Sequence, residues 1–301
     1  MKKFASCTCC NTIYPVDEMK GSPLAKRGGA YAYMCERCAT QNQGYHSTAT
    51  RNRGTQKVNG VYVGIELETS FTNEYARNTL FEYGLIPTRD GSLQSEGEGR
   101  RYGWDGNSCE YVTGILSGLN IASKMCNTIQ TLKDGEHLKI NESCGTHFHV
   151  SINAMKDGDG LLTYMQYIQR FYHSLFTPLS DKMKANPTAT EALFGRNFSR
   201  LAEAVNQYTD QDNRYNFINV TNDTNIEFRL NKFVNAKQYQ NLMKMEVEMV
   251  KTIVTNFCEH FDDEPKDKRR YPTMTAYRKH KAQTTAKKLV NIFAKYAIQN
   301  S

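Results

Sequence analysis

The sequence predicts an α+β protein, a curved and mainly antiparallel sheet with helices on one side, preceded by a small cysteine-bearing module. Three observations predict it. Short β-branched or aromatic runs recur between Gly, Asn and Asp residues, stretches of 3.6-residue periodicity separate them, and two CxxC pairs stand in the first 38 residues.

The cysteine module covers residues 1–42. Cys7 and Cys10, then Cys35 and Cys38, form two CxxC knuckles, a spacing that can set four thiolates around one structural Zn²⁺. Cys9 offers a rival pair with Cys7, and the commoner CxxC geometry selects Cys10. Nine cysteines is an odd count, which argues against a disulfide framework, and Cys109, Cys126, Cys144 and Cys258 read as small core residues. Residues 43–59 are polar and small and read as a linker. Residues 60–301 are expected to form the catalytic domain, ending in a basic helical region.

Within that domain, strands are expected at residues 61–69, 109–113, 146–152, 214–220 and 225–231. Helical periodicity runs through residues 73–84 and 118–132, through a single stretch from Leu161 to Leu175, and through residues 236–258, with a last helix at 282–298. Trp104 and the tyrosines of 161–173 read as core, and His137 and His173 as helix surfaces or ends.

The chain has 301 residues, 39% of them hydrophobic, and a net charge of +7. No apolar run is long enough to cross a membrane, and MKKFASCTCC lacks the apolar core of a signal peptide, so a cytoplasmic chain is expected. Its cations gather toward residues 266–288, a solvated helix face or a contact for nucleic acid or an acidic protein.

The chemistry is carried by strands with one apolar and one reactive face. In VGIELET, Glu66 and Glu68 oppose Ile65 and Leu67; in GTHFHVSI, His147 and His149 oppose Phe148 and Val150; in NIEFRL, Glu227 and Arg229 oppose Ile226 and Phe228. Like charges on one half-buried face repel unless a cation lies between them. Carboxylate oxygens with an imidazole suit Mg²⁺ or Mn²⁺, and Arg229, Arg214 and Arg196 add fixed positive charge of the kind that grips phosphates and carboxylates. A hydrolytic Zn²⁺ site built from the HxH pair is the rival reading, and it leaves the second glutamate and the arginine unexplained.

The order of motifs is distinctive: Gly64, Glu66 and Glu68; Asp90, Gly91 and Ser92; Glu110 in CEYVTGIL; CGTHFHV; RYNFINV with Asn219; and IEFRL. Over residues 60–260 this order resembles the amidoligase family of the carboxylate-amine ligase superfamily, which includes glutamine synthetase and glutamate-cysteine ligase. The resemblance implies a glutamine-synthetase-like sheet and an ATP-dependent ligase that forms an amide through an acyl phosphate. It implies that Glu66, His147 and Glu227 share one Mg²⁺, that Glu68 and Glu110 bind another, and that His149 approaches nucleotide phosphate. Arg229, Arg214, Arg196 and Asn219 would bind ATP or substrate, and Asp90 is a catalytic candidate that DGS also suits to a type I turn. Glutamine synthetases carry a further glutamate after the position of Glu110; this chain has none at that spacing, and only Glu96 and Glu98 stand in a nearby loop. The amine and carboxylate substrates implied are a peptide, an amino acid or a protein side chain. A metal-dependent hydrolase and a nucleic-acid-binding protein with a degenerate enzyme domain are the alternatives.

Overall fold

The protein is described from a computed structural model covering residues 61–83, 85–88, 93, 108–113, 116–152, 158–197, 216–220 and 225–299, together with the backbone of four short strands before residue 36. In chain order the strands are β1 Phe4–Ser6, β2 Ile13–Pro15, β3 Met19–Gly21, β4 Tyr33–Cys35, β5 Val61–Thr69, β6 Phe71–Thr72, β7 Leu85–Thr88, β8 Cys109–Thr113, β9 Leu116–Ser117, β10 Leu138–Lys139, β11 Thr146–Ile152, β12 Ile218–Asn219 and β13 Ile226–Phe228. The helices are α1 Glu74–Glu82, α2 Leu119–Asp134, α3 Gly158–Arg170, α4 Tyr172–Lys184, α5 Pro187–Phe194, α6 Ala236–Ile253 and α7 Met274–Ile298. This is the α+β class that the sequence predicts, with every assigned strand register antiparallel.

Two compact units divide the chain: residues 1–57, 64–116 and 127–144 form one, and residues 58–63, 117–126 and 145–301 the other. β5 belongs to both.

In the first unit, β1 pairs with β2 and β3 with β4, so the cysteine module holds two small antiparallel pairs, and Cys35 ends β4. Cys7, Cys10 and Cys38, like Trp104, lie outside the described residues. β8 pairs with β5 on one side and β7 on the other. Strand alternation sends Ile65, Leu67 and Tyr111 into the core, each with no exposed surface. The Tyr111 hydroxyl shares a 2.8 Å hydrogen bond with Thr72, so the ring is buried without orphaning its oxygen. Asn73 caps α1 by accepting from Ala76 N at 2.9 Å, and its amide meets His137 Nδ1 at 2.9 Å. His137 therefore sits at a helix end, edge-on to Tyr75.

In the second unit, β13 pairs with β12 on one side and β11 on the other. Phe148 faces Phe228, which faces Ile218, and all three are buried. α6 packs its Leu242, Met245, Met249 and Ile253 stripe inward, as its periodicity predicts.

Four expectations are corrected. The single helix through Leu161–Leu175 is two, because Phe171 leaves helical geometry (φ −108°, ψ 15°) and sets its ring against Phe257 and Phe261. The helix expected over 236–258 is α-helical only to Ile253 and finishes as a π-helical turn, Val254–Cys258. The last helix starts at Met274, eight residues early, because Thr273 caps it by accepting from Ala276 N at 3.2 Å. The strands expected over 214–220 and 225–231 shrink to Ile218–Asn219 and Ile226–Phe228 among the described residues, since the backbone after Phe228 turns to partners outside the ladder.

α5 begins with Pro187 and ends at Gly195 in the left-handed conformation (φ +69°), a Pro-start, Gly-stop pair. A Cβ at Gly195 would lie 2.7 Å from the Lys232 carbonyl oxygen and 2.6 Å from a Val234 methyl. Gly195→Ala is therefore expected to destabilise the fold by at least about 1–2 kcal/mol, the cost of the left-handed conformation before the clash is counted. A urea titration of the two proteins measures it; equal midpoints would contradict the strain.

Candidate functional site

In the first unit, β5 and β8 bring three carboxylates to one face. Glu68 stands directly opposite Glu110, and Glu66, two residues before Glu68 on the same strand, opposes Val112. Residues directly opposite on antiparallel strands project to the same side, so the alternation that buries Ile65, Leu67 and Tyr111 places Glu66, Glu68 and Glu110 together on the other. Glu68 is buried and Glu66 and Glu110 half-buried. Like charges directly opposite are destabilising unless donors or positive charge offset them.

In the second unit, the register gives a row of three polar residues: His149 on β11, Glu227 on β13 and Asn219 on β12. Glu227 is the hub. It is buried, Asn219 Nδ2 donates to its Oε2 at 2.7 Å, Arg229 donates to its Oε1, and His147 Nδ1 lies 3.6 Å from that same oxygen. Burial of a carboxylate is costly alone and tolerable when a guanidinium and an amide share it. His149 Nδ1 donates to Asn225 Oδ1 at 2.8 Å, and a ring nitrogen of His149 lies within 4.8 Å of a Glu227 oxygen. A side-chain contact at one ring nitrogen fixes the ring's orientation, as ligand histidines require.

Arg196 takes a structural position: its Nε donates to Leu230 O at 2.9 Å and its Nη2 to Asn231 O at 3.4 Å, holding the backbone just after Arg229. Asp90 and Arg214 lie outside the described residues. Cys109, Cys126, Cys144 and Cys258 are buried, as the sequence predicts. Burial pushes the Cys109 and Cys126 thiols up to about 12 and the Cys258 thiol higher, which makes them inert packing residues.

A layer behind β11 is absent from the sequence reading. Tyr239 on α6, fully buried, donates to Thr146 O at 3.0 Å; Phe233 N donates to Thr146 Oγ1 at 3.2 Å, and Thr146 N to Asn231 O at 2.9 Å. Asn231 in turn donates to Glu246 Oε2 at 3.1 Å. Glu246 has no exposed surface and its Oε1 has no hydrogen-bond partner among the described residues, so burial raises its pKa well above the usual carboxylate range. The helical stripe Tyr239, Leu242, Met243, Glu246, Met249 carried the signal, because Glu246 falls on the apolar face. Asn225 carried none.

Compared with protein-family models and with curated proteins, the chain gives no match in either.

Glu246 sets a pH dependence. An acid whose folded pKa is raised binds more protons folded than unfolded, so its contribution is fully present below the unfolded value of about 4.3 and is lost as pH rises toward the folded pKa. Glu246→Gln keeps the carbonyl that accepts from Asn231 and cannot ionise. Thermal melts across pH 4 to 8 are expected to show the native chain losing stability relative to the variant as pH rises; parallel curves would contradict a raised pKa.

Proposed function

We propose that the protein is an ATP- and Mg²⁺-dependent carboxylate-amine ligase with a structural zinc in its N-terminal module. The observation that carries this reading is the Glu227 cluster, in which an arginine, an asparagine and a histidine converge on one buried carboxylate directly across the sheet from a second histidine. The chemistry of the donor set fits the metal: hard carboxylate oxygens with imidazole suit Mg²⁺ or Mn²⁺. The motif order that resembles amidoligases supports the choice of reaction.

In this reading Glu66, Glu68, Glu110, His147 and Glu227 hold Mg²⁺, which when bound neutralises the phosphate charge of ATP. A substrate carboxylate oxygen attacks the γ-phosphorus, the bond to ADP breaks, and an acyl phosphate forms. An amine nitrogen then attacks the acyl carbon, the carbon–oxygen bond to phosphate breaks, and the amine's proton leaves to the medium. His149 and Arg229 orient phosphate, Arg214 and Asn219 contribute to binding, Asp90 joins the catalytic set, and Arg196 acts through the backbone it holds. Excluding water from the acyl phosphate is the remaining requirement. Cys7, Cys10, Cys35 and Cys38 form the zinc site, and the antiparallel pairs of that module are the small scaffold such a metal stabilises.

Glu66→Ala is expected to abolish ATP turnover, read as phosphate release with a panel of amines and carboxylates, while circular dichroism stays native. Turnover that survives the substitution sinks the metal assignment, and a native chain that shows no Mg²⁺-dependent ATP binding by calorimetry favours the hydrolase instead.

Cys35→Ser is expected to release stoichiometric zinc, measured by atomic emission, and to loosen the N-terminal module to proteolysis. Native protein purified without zinc would overturn that site.

A further inference from the structure

The polypeptide from residue 268 to residue 301 carries nine lysines and arginines and no aspartate or glutamate. Most of it is α7, whose inner side is settled by Ala282, Thr285, Ala286, Leu289 and Phe293, so the cations occupy the outer side and the turn before it. A charge run of this kind is ordinarily a solvated face. Its first half differs by what lies among the charges.

Tyr271, Tyr277 and His280 form one aromatic group. Tyr271 meets Tyr277 at 5.4 Å between ring centroids and His280 at 5.0 Å, and all three are only half-buried. Cations flank the rings, Arg270 at 5.5 Å over Tyr271 and Lys281 at 5.6 Å over Tyr277. The nearby acids are accounted for. Asp262 pairs with Arg278, Asp263 with His260, Glu264 with Lys268, and Asp267 accepts from the backbone N–H of Arg269 and Arg270, which fixes the turn that displays them. Among the described residues Arg269, Arg270, Lys279 and Lys281 have no ion pair, and the first three of these are exposed.

Unpaired cations beside partly exposed rings are what a single-stranded nucleic acid uses: phosphates take the cations and bases stack on the rings. A lipid surface would need apolar side chains to insert, and among the large exposed hydrophobic residues only Ile298, at the far end, lies on α7. We propose that Arg269, Arg270, Lys279 and Lys281, with Tyr271 and Tyr277, form a binding surface for single-stranded nucleic acid. The surface stands independently of the ligase reading, and its test needs neither ATP nor Mg²⁺.

The test is fluorescence anisotropy of the full chain with labelled single-stranded RNA and DNA of the same sequence, about ten nucleotides long, within the usual span of such sites. Saturable binding of either probe at low salt is expected, and the tighter one names the natural ligand. Lys279→Gln with Lys281→Gln should weaken binding at least tenfold and make the log–log salt slope shallower by about 1.4, two contacts at about 0.7 each. The control is Lys237→Gln with Lys244→Gln, which removes the same charge from exposed positions on α6 and should change binding little. Tyr277→Ala should weaken binding with the slope unchanged, and Tyr277→Phe should restore it. The proposal is overturned by absent saturable binding, by patch and control variants that behave alike, or by poly-glutamate competing as well as the oligonucleotide, which would mark the surface as one for acidic proteins.

Discussion

The second unit depends on keeping the Glu227 carboxylate beneath the surface. β13 is three residues long and its neighbours Ile226 and Phe228 are committed to the core, so alternation forces Glu227 to the opposite face. There it is still almost fully buried, and a lone carboxylate in that position would cost several kcal/mol. The compensation is local and comes from three strands: Arg229 from just past its own, Asn219 from β12 and His147 from β11. Just past the strand the Arg229 N–H donates to Phe217 O at 3.1 Å, and its side chain reaches Glu227.

The segment from Arg229 to Phe233 shows how this face is held still. It has left the ladder, yet the backbone groups that matter find partners: Arg229 N on Phe217, Lys232 N on Phe194, Phe233 N on Thr146, and the carbonyls of Leu230 and Asn231 under Arg196. Thr146 and Asn231 tie it to the start of β11, and Tyr239 ties β11 to α6. Any displacement of α6 is thus transmitted to the backbone of Thr146, one residue from His147.

What was legible in the sequence follows the same logic. The reactive faces of β5, β11 and β13 were readable because a period of two cannot be satisfied in two ways once one face is apolar. The opposition of Glu68 and Glu110 was not, since register is a property of two strands and their hairpins. The break at Phe171 hid inside an unbroken helical pattern, because a ring that docks against Phe257 and Phe261 is an apolar residue in either conformation. α5 went unread although Pro187 and Gly195 bracket it with strong start and stop signals. Arg196 is expected from its type to meet ATP or substrate, and its donation to the Leu230 carbonyl is a tertiary contact that residue type alone could not show.

The state of Arg229 bears on how the ligase reading works. Its guanidinium is engaged by Glu227, and a guanidinium committed to a carboxylate is a weaker grip for a phosphate than one held in reserve. Glu227 also accepts from Asn219 and has His147 Nδ1 3.6 Å away. In the ligase reading Glu227 would help hold Mg²⁺, which would supply part of the positive charge that Arg229 now supplies, and Arg229 would be the group that meets an anion. In that reading the pairing of Arg229 with Glu227 would couple the binding of a cation to that of an anion, because neither charge of the buried pair is exposed cheaply unless the other is met.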